Sequence, residues 1–338
     1  MKSNITTTTL YVITALVAAA LLASCAEIAP HARPENLRII DAHNHLNGDL
    51  TEDRLLGLMD AAGVKGMVLM ARYYKGAFNA GDGTDEQAAS YAARHPGRFI
   101  PFVAGQRGDL GPRNRQVWEG PSDLGDSFLA SARQKLESGA FRGIGEFIIR
   151  HYAYSSSGSE GGGGVDLPLD SFLMARIAAL GAEFRVPVLI HLEAEPAQVE
   201  AMERLLAAHP KTTFIWAHNC GRGSAVAIGE FLSRFPHLMC DLGGMTADRQ
   251  GGYGTFWPRR TPWIHLVEDG TGKLYPEMRK LFERFPRRFM VGTDCAHTPA
   301  LDTYLSRIER FRVWLSQLTP GAARRIGYEN AAELFGLK

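Results

Sequence analysis

The stretch Ile39-Ile-Asp-Ala-His-Asn-His45 is one of three apolar runs that end in metal-binding side chains. Its β-branched start predicts a strand, and side chains two apart on a strand project from the same face, so His43 and His45 point into one cavity. Val188-Leu-Ile-His191 and Phe289-Met-Val-Gly-Thr-Asp294 end in the same manner. Neutral imidazoles with a carboxylate suit zinc or another divalent ion, so the joint pattern predicts a metal site.

Around these runs, short apolar segments alternate with amphipathic helical segments, which is typical of βα units on a parallel sheet. Eight strands are predicted, at 39–45, 64–71, 99–105, 141–147, 187–193, 212–218, 238–243 and 289–294. Helices are predicted near 51–62, 84–95, 124–138, 169–184, 195–209, 224–234, 275–285, 301–316 and 320–335. Eight strand-helix pairs fit an α/β chain folded as a single-domain (β/α)8 TIM barrel better than an open doubly wound sheet. No Gly-x-Gly-x-x-Gly follows the first strand, as a dinucleotide fold would require.

Polar side chains stand at the ends of five predicted strands. Catalytic groups in a barrel of this kind come from the C-terminal ends of the strands and the loops after them. The side chains in question are His43 and His45, Glu146, His191 with Glu193, His218, and Asp294. We therefore expect them to meet at one end of the barrel.

Three arginines follow strands that point to the same end, namely Arg72, Arg150 and Arg222. Any of them could grip a substrate carboxylate with two parallel hydrogen bonds, and the alternative for each is a solvated surface position. The Ser/Gly-rich stretch 155–164 and the aromatic loop 245–272 follow later strands. The aromatic loop is interpreted either as a cover for the pocket or as an excursion on the barrel rim.

The N-terminus has the pattern of an export signal. Lys2 precedes an apolar run, Leu10 to Leu22, which is shorter than a membrane span of about 20 residues but right for a signal-peptide core. Leu22-Ala-Ser-Cys25 resembles a bacterial lipobox, which predicts acylation of Cys25; the alternative is an incidental cysteine. The predicted segments are a signal peptide at 1–24, a lipidated tether at 25–37 and the barrel at 38–338. The chain would be an exported lipoprotein on the periplasmic face of a membrane, held by its lipid alone. Ala26 after the cysteine favours the outer membrane.

The charge and cysteine content exclude several classes of protein. The 338 residues carry a formal net charge of +1 and no block of like charges, so a nucleic-acid surface is not indicated and small neutral or acidic substrates remain open. Beyond the lipobox there are Cys220, Cys240 and Cys295, an odd number that excludes a complete disulfide framework. Free buried thiols are expected, with a Cys220–Cys240 pair as the alternative. The sequence does not indicate an oligomeric state.

The chain resembles the amidohydrolase superfamily, and most closely its amidohydrolase-related branch. That branch includes aminocarboxymuconate-semialdehyde decarboxylases, γ-resorcylate decarboxylases and dicarboxylate lactonases. The resemblance covers about residues 38–338 and is carried by Asp41-Ala-His-Asn-His45, Gly143-Ile-Gly-Glu146, Ile190-His191, Ala217-His218, Gly292-Thr-Asp-Cys-Ala-His297 and Asn330-Ala-Ala-Glu-Leu-Phe-Gly-Leu337.

The resemblance implies that His43, His45, His191 and Asp294 hold a catalytic metal. It also implies that Asp294 shuttles a proton and that His218 activates the water or polarises the substrate. His297 either takes part or pins its loop, and Ala296 departs from the proline that the family often has there.

A second departure concerns the number of metal ions. Binuclear members with a carboxylated lysine carry that lysine on strand four, where this chain has Glu146. Glu146 resembles the glutamate of TatD-type hydrolases, which can ligate a second ion, or it orients a metal-bound histidine. One zinc ion is favoured and a second remains possible.

These observations favour a metal-dependent hydrolase that acts on a small-molecule lactone, ester or amide through metal-activated water. One alternative is non-oxidative decarboxylation of an aromatic or unsaturated carboxylic acid, in which no water is consumed. A further alternative is an exported binding protein without catalysis. Asp294 and His218 argue against it, because a binding protein needs no proton shuttle.

Overall fold

The computed structural model describes residues 37–72, 83–152, 164–246, 265–296 and 298–337. Cys25, His297 and most of the two loops named above lie outside these ranges. The strands in the described part are β1 (Ile39–Asp41), β2 (His45–Leu46), β3 (Val64–Ala71), β4 (Phe99–Phe102), β5 (Ile144–His151), β6 (Val165–Asp166), β7 (Val188–Leu192), β8 (Phe214–Trp216), β9 (Leu238–Asp241) and β10 (Phe289–Met290). Within the described ranges, no helix combines the length and apolar character that a membrane span requires.

Parallel pairing joins these strands into a ring. β1 and β2 both pair with β3, and β3 pairs with β4. β5, β7, β8, β9 and β10 follow one another in parallel, and β6 adds a short antiparallel extension to β5. A bridge between Val103 and Ile144 joins the two sheets, and the Ala42 N–H donates to the Val291 carbonyl at 2.8 Å where the ring closes. With β1 and β2 counted as one barrel strand, the predicted (β/α)8 barrel is confirmed.

The helices surround this ring close to their predicted positions. They are α1 (Glu52–Ala62), α2 (Asp85–Arg94), α3 (Gln116–Glu119), α4 (Asp123–Glu137), α5 (Phe172–Phe184), α6 (Pro196–Ala208), α7 (Ala225–Arg234), α8 (Pro276–Arg284), α9 (Tyr304–Leu315), α10 (Pro320–Arg324) and α11 (Asn330–Leu334). Six begin after a residue whose hydroxyl accepts a hydrogen bond from a backbone N–H three positions on: Thr51, Thr84, Ser122, Ser171, Ser224 and Thr319. Such caps satisfy N–H groups that have no partner inside the helix, so they fix where each helix starts.

Apolar side chains fill the barrel interior away from the polar strand ends. Alternate residues of the strands form this inner cluster, with Ile40, Val68 and Leu189 all at most 1% exposed. The last helix places Phe335 against it, and the rings of Phe335 and Phe102 meet edge to face at 5.5 Å. A larger apolar cluster lies between the strands and the outer helices. The polar residues are therefore held on a rigid, fully packed base.

Several predicted elements differ in extent from the structure, and three of the differences have a clear physical reason. The helix predicted at 320–335 contains a π-helical turn at Arg325–Glu329, where the Ile326 carbonyl accepts from the Val291 N–H at 3.2 Å. The last strand ends at Met290, because the residues after it bond to the first strand and to this turn. The strand predicted at 212–218 ends at Trp216, since residues 218–222 all have positive φ.

Cys220 and Cys240 form a disulfide, so the expectation of free thiols was wrong for this pair. Their Cα atoms lie 5.1 Å apart. Cys240 lies beside Trp216 in the parallel register of β8 and β9, and the left-handed turn after Trp216 brings Cys220 back over the neighbouring strand. Because this turn has no periodic signature, the sequence spacing could not reveal the pairing. Cys295 is buried and free, as expected.

Candidate metal centre

The strand ends bring the predicted polar side chains together at one end of the barrel. In the described part of the chain, three groups of buried side chains could hold a metal ion: His43, His45 and Glu146; Glu146, His191 and His218; and His43, His218 and Asp241. Asp294 also lies near His43 and His45.

Glu146 stands between two pairs of histidines. Its Oε2 atom lies 3.5 Å from His43 Nε2 and 3.4 Å from His45 Nε2. Its Oε1 atom lies 3.2 Å from His191 Nδ1 and 3.3 Å from His218 Nε2. The two oxygens of one carboxylate therefore face two groups of histidines. We call the group around His43 and His45 the first pocket and the group around His191 and His218 the second pocket.

In the first pocket, two histidine nitrogens point at carboxylates. Asp294 Oδ1 lies 3.2 Å from His45 Nε2 and 3.6 Å from His43 Nε2. Both Nε2 atoms are buried and make no hydrogen bond. A buried polar atom without a partner is costly, but an ion among these four groups would satisfy it. Two imidazoles and two carboxylates are a donor set that suits zinc and similar divalent ions.

The orientation of His43 is fixed from behind by Asp241. His43 Nδ1 lies 3.1 Å from Asp241 Oδ2, while Asp241 Oδ1 accepts from the Gly243 N–H at 2.8 Å and from the His218 N–H at 3.3 Å. Because a carboxylate only accepts, His43 Nδ1 carries the hydrogen and the Nε2 lone pair faces the pocket. Asp241 is not among the site residues predicted from the sequence. A carboxylate at the C-terminal end of a predicted barrel strand was the available signal.

The second pocket shows the same arrangement. His218 Nδ1 lies 2.8 Å from the Gly243 carbonyl oxygen, and His191 Nε2 lies 3.1 Å from Glu193 Oε1. Both partners are acceptors, so the remaining nitrogens, His191 Nδ1 and His218 Nε2, present lone pairs to each other at 2.8 Å. Two lone pairs at that distance require a proton or a cation between them. The residues therefore fit an ion here as well.

The charges of the two pockets are balanced by protons when no ion is bound. Burial would lower the pKa of His43, but Asp241, Glu146 and Asp294 raise it well above its usual range. Burial would raise the pKa of Glu146, but the neighbouring histidines, led by His43, hold it well below its usual range. A divalent ion replaces these protons with equivalent positive charge, so ion binding releases protons.

Gln106 and Arg72 support Glu146 from the wall of the barrel. Gln106 Nε2 donates to Glu146 Oε2 at 2.6 Å, and Arg72 Nε donates to Gln106 Oε1 at 3.0 Å. Arg72 also donates to the carbonyl of Ala296. Gln106 was not predicted as a site residue, because a single amide side chain in a sequence indicates neither a metal ligand nor an acid-base group.

The other two candidate arginines contact carboxylates of the chain. Arg150 is paired with Glu195 and donates to the Val165 carbonyl at 3.3 Å. Arg222, 5% exposed, places Nη1 2.5 Å from Glu193 Oε1. Substrate contact by any of the three arginines stays a prediction.

Asp41 ties the two edges of the closed ring together beside the first pocket. Its carboxylate accepts from the Thr293 N–H at 2.8 Å and from the Thr293 hydroxyl at 2.7 Å. Gly292 is required at this joint, since a Cβ there would lie 2.6 Å from the Cβ of His43. Ala296 stands where the family that the chain resembles often has proline. Its N–H donates to the Asp294 carbonyl at 2.9 Å, a bond that proline could not make.

Comparisons with known proteins agree with this fold. One similar solved structure is an uncharacterised TIM-barrel protein from Bordetella bronchiseptica, with 14% identity over 89% of this chain and 99% of that chain, and a TM-score of 0.56. An amidohydrolase from Burkholderia multivorans with bound HEPES has 16% identity over 89% and 99%, with a TM-score of 0.52. A probable 2-pyrone-4,6-dicarboxylic acid hydrolase from Acinetobacter baumannii with citric acid bound has 14% identity over 88% and 99%, with a TM-score of 0.52.

At these identities the solved structures establish the fold alone. No curated protein matches the sequence. A family model described as amidohydrolase matches residues 28–337, which is nearly the whole chain. The predicted superfamily is thereby confirmed, and the chain belongs to the amidohydrolase family.

Proposed function

We propose that this chain is a metal-dependent hydrolase of a small-molecule lactone, ester or amide, and that Glu146 and its four neighbouring histidines would hold two divalent ions, most suitably zinc. The observation that carries the proposal is the position of this carboxylate, whose two oxygens face two pairs of histidine lone pairs. Adjacent ions of this kind are typical of hydrolytic centres. The proposal goes beyond the single zinc ion that the sequence favours.

A divalent ion at such a site would lower the pKa of bound water to about 7 and would polarise an acyl oxygen. Asp294 is placed to handle the proton. Its side chain is 21% exposed, against 2% for Glu146, so it reaches the open side of the pocket. Burial would raise the pKa of Asp294, but His43 and His45 hold it below its usual range. Asp294 is therefore ionised, and it can accept a proton from the attacking water and pass it to the leaving group.

His218 is proposed as a ligand of the second ion. The Gly243 carbonyl holds its Nδ1 hydrogen, which leaves Nε2 directed at Glu146 and His191. The role that the resemblance implies for His218, activating the water or polarising the substrate, would then be exerted from this fixed position.

The test is a screen of lactones, esters, amides and hydroxybenzoates with metal-loaded protein. With a good substrate, turnover in oxygen-18 water should place label in the acid product, measured by mass spectrometry. Asp294→Asn should lower the rate by about 10²- to 10⁴-fold, the usual effect of a general acid-base group. His209→Asn, a change at the end of a helix outside the site, serves as the control.

Decarboxylation gives a different result in the same screen. Stoichiometric release of carbon dioxide, with solvent deuterium incorporated at the carbon that lost it, would show that hydrolysis is the wrong reaction. A loaded protein that binds substrate but turns nothing over would favour the binding protein instead.

We also propose that the chain is exported and anchored by a lipid on Cys25, with the barrel on the periplasmic side. The Cys220–Cys240 disulfide supports an oxidising compartment, because such bonds are rare in the cytosol of most organisms.

A further inference from the structure

Glu193 and Arg222 form a buried ion pair behind the second pocket. Glu193 follows His191 by two residues at the end of β7 and is completely buried. Its Oε1 atom lies 2.5 Å from Arg222 Nη1 and 3.1 Å from His191 Nε2. Among the described residues, Glu193 does not belong to a group that could hold a metal ion. The pair contacts the second pocket through His191.

The pair determines which nitrogen of His191 carries hydrogen. Glu193 Oε1 is paired with the Arg222 guanidinium at 2.5 Å, and a guanidinium stays protonated at neutral pH, so the carboxylate is held in its ionised form. An ionised carboxylate only accepts hydrogen bonds, and His191 Nε2 must donate to it. His191 Nδ1 is then free of hydrogen and faces Glu146 Oε1 at 3.2 Å.

Arg222 is placed by the left-handed segment 218–222, in which it has a φ of 64°. Its carbonyl accepts from the His265 N–H at 2.8 Å, which fixes the end of the segment. The same segment begins with His218. One short segment thus sets both histidines of the second pocket, His218 directly and His191 through the ion pair.

We propose that Glu193 and Arg222 are positioning residues that hold His191 in the tautomer and orientation required by the second ion. The inference rests on the proposed two-ion centre. It implies selectivity between the pockets, because the carboxylate that orients His43 is Asp241 and not Glu193. Loss of the pair should weaken the second pocket and leave the first intact.

The variant Glu193→Leu/Arg222→Met removes both charges together, so no unpaired charge is left buried. Its matched control is Glu195→Leu/Arg150→Met, which removes a second ion pair, whose glutamate lies two residues further along the chain. Metal analysis of the loaded proteins should find two ions per chain in the wild type and the control. The test variant should bind its second ion roughly 10- to 100-fold more weakly and keep the first, whose retention reports an intact barrel.

A second readout needs no metal. In metal-free protein with ¹⁵N-labelled histidine, at a pH high enough to leave His191 uncharged, NMR correlations of the imidazole nitrogens should show hydrogen on His191 Nε2 in the wild type and a mixture of tautomers in the test variant. If the wild type binds only one ion, the two-ion centre is wrong, and the tautomer still decides the role of Glu193. If the test variant keeps the wild-type tautomer of His191 and binds the second ion with wild-type affinity, the inference is overturned.

Glu193→Asp tests the same point should the double variant not fold. It keeps the charge that pairs with Arg222 but withdraws the carboxylate by one methylene from His191. Weaker binding of the second ion with a mixed tautomer is expected. Wild-type values for both measurements would overturn the positioning role.

Discussion

At the scale of single residues, Glu146 is the group on which both pockets depend. It is 2% exposed and lies near four histidine nitrogens and the Gln106 amide, so its charge has no access to solvent. Its ionised form is stabilised by those neighbours alone. An amide in its place would keep the shape of the site and one acceptor oxygen, but it would remove the negative charge shared between the pockets.

We therefore expect Glu146→Gln to lose the second ion and to bind the first more weakly. The second pocket would retain two imidazoles, whereas the first would still have the Asp294 carboxylate. Metal content after dialysis measures the effect. Glu203→Gln, on an exposed helix and paired with Arg234, is the control and should keep both ions. Two bound ions in Glu146→Gln would contradict the role of Glu146 in both pockets. If the wild type and Glu146→Gln each hold one ion tightly and only the variant loses activity, the single-ion alternative is favoured.

At the scale of elements, the regular strands and helices were predictable and the left-handed segment was not. The predicted ends of β3 agree with the structure, because a strand that is buried on both faces appears in the sequence as a nearly continuous apolar run. Metal-binding side chains at strand ends likewise located His43, His191 and Asp294 in one place. Residues 218–222 follow no period, and Gln106 has an ordinary side chain. Their roles depend on neighbours that are distant in sequence.

The left-handed segment must be held by its contacts. Left-handed backbone costs roughly 1–2 kcal/mol for each residue that has a Cβ, and four of the residues in 218–222 have one. The disulfide anchors the segment to β9, a regular strand paired on both sides. The bond also closes a loop between cysteines 20 residues apart, which restricts the unfolded chain.

Cys220→Ala/Cys240→Ala should lower the free energy of unfolding by about 3 kcal/mol, the usual effect of closing a loop of this size. Urea denaturation of the metal-free protein measures it. Reduction of the wild type should give the same loss, and the Cys295→Ala control should keep the sensitivity to reductant. Equal stability of the variant, the reduced protein and the oxidised protein would mean that other contacts hold the segment.

At the scale of the whole molecule, the metal centre depends on closure of the barrel. The first pocket takes His43 from the start of the ring and Asp294 from its end, and the bonds of Asp41 to Thr293 join the two edges. The inner apolar cluster and the last helix support the opposite side of the ring. These contacts all lie in the described part of residues 39–337, outside the predicted signal peptide and tether.

This separation yields a prediction about the lipid anchor. If Cys25 is acylated, Cys25→Ser should remove the protein from the membrane fraction or leave an unprocessed precursor, because a lipid chain would be its only attachment. Cell fractionation with an antibody to the barrel measures the distribution, and Cys295→Ser, which removes a buried thiol of the barrel, controls for the loss of a cysteine. The rate of the purified Cys25→Ser barrel should equal that of the wild type, since no ligand or support of the metal centre changes. A variant that remains fully processed and in the membrane fraction would show that something other than this cysteine holds the protein there.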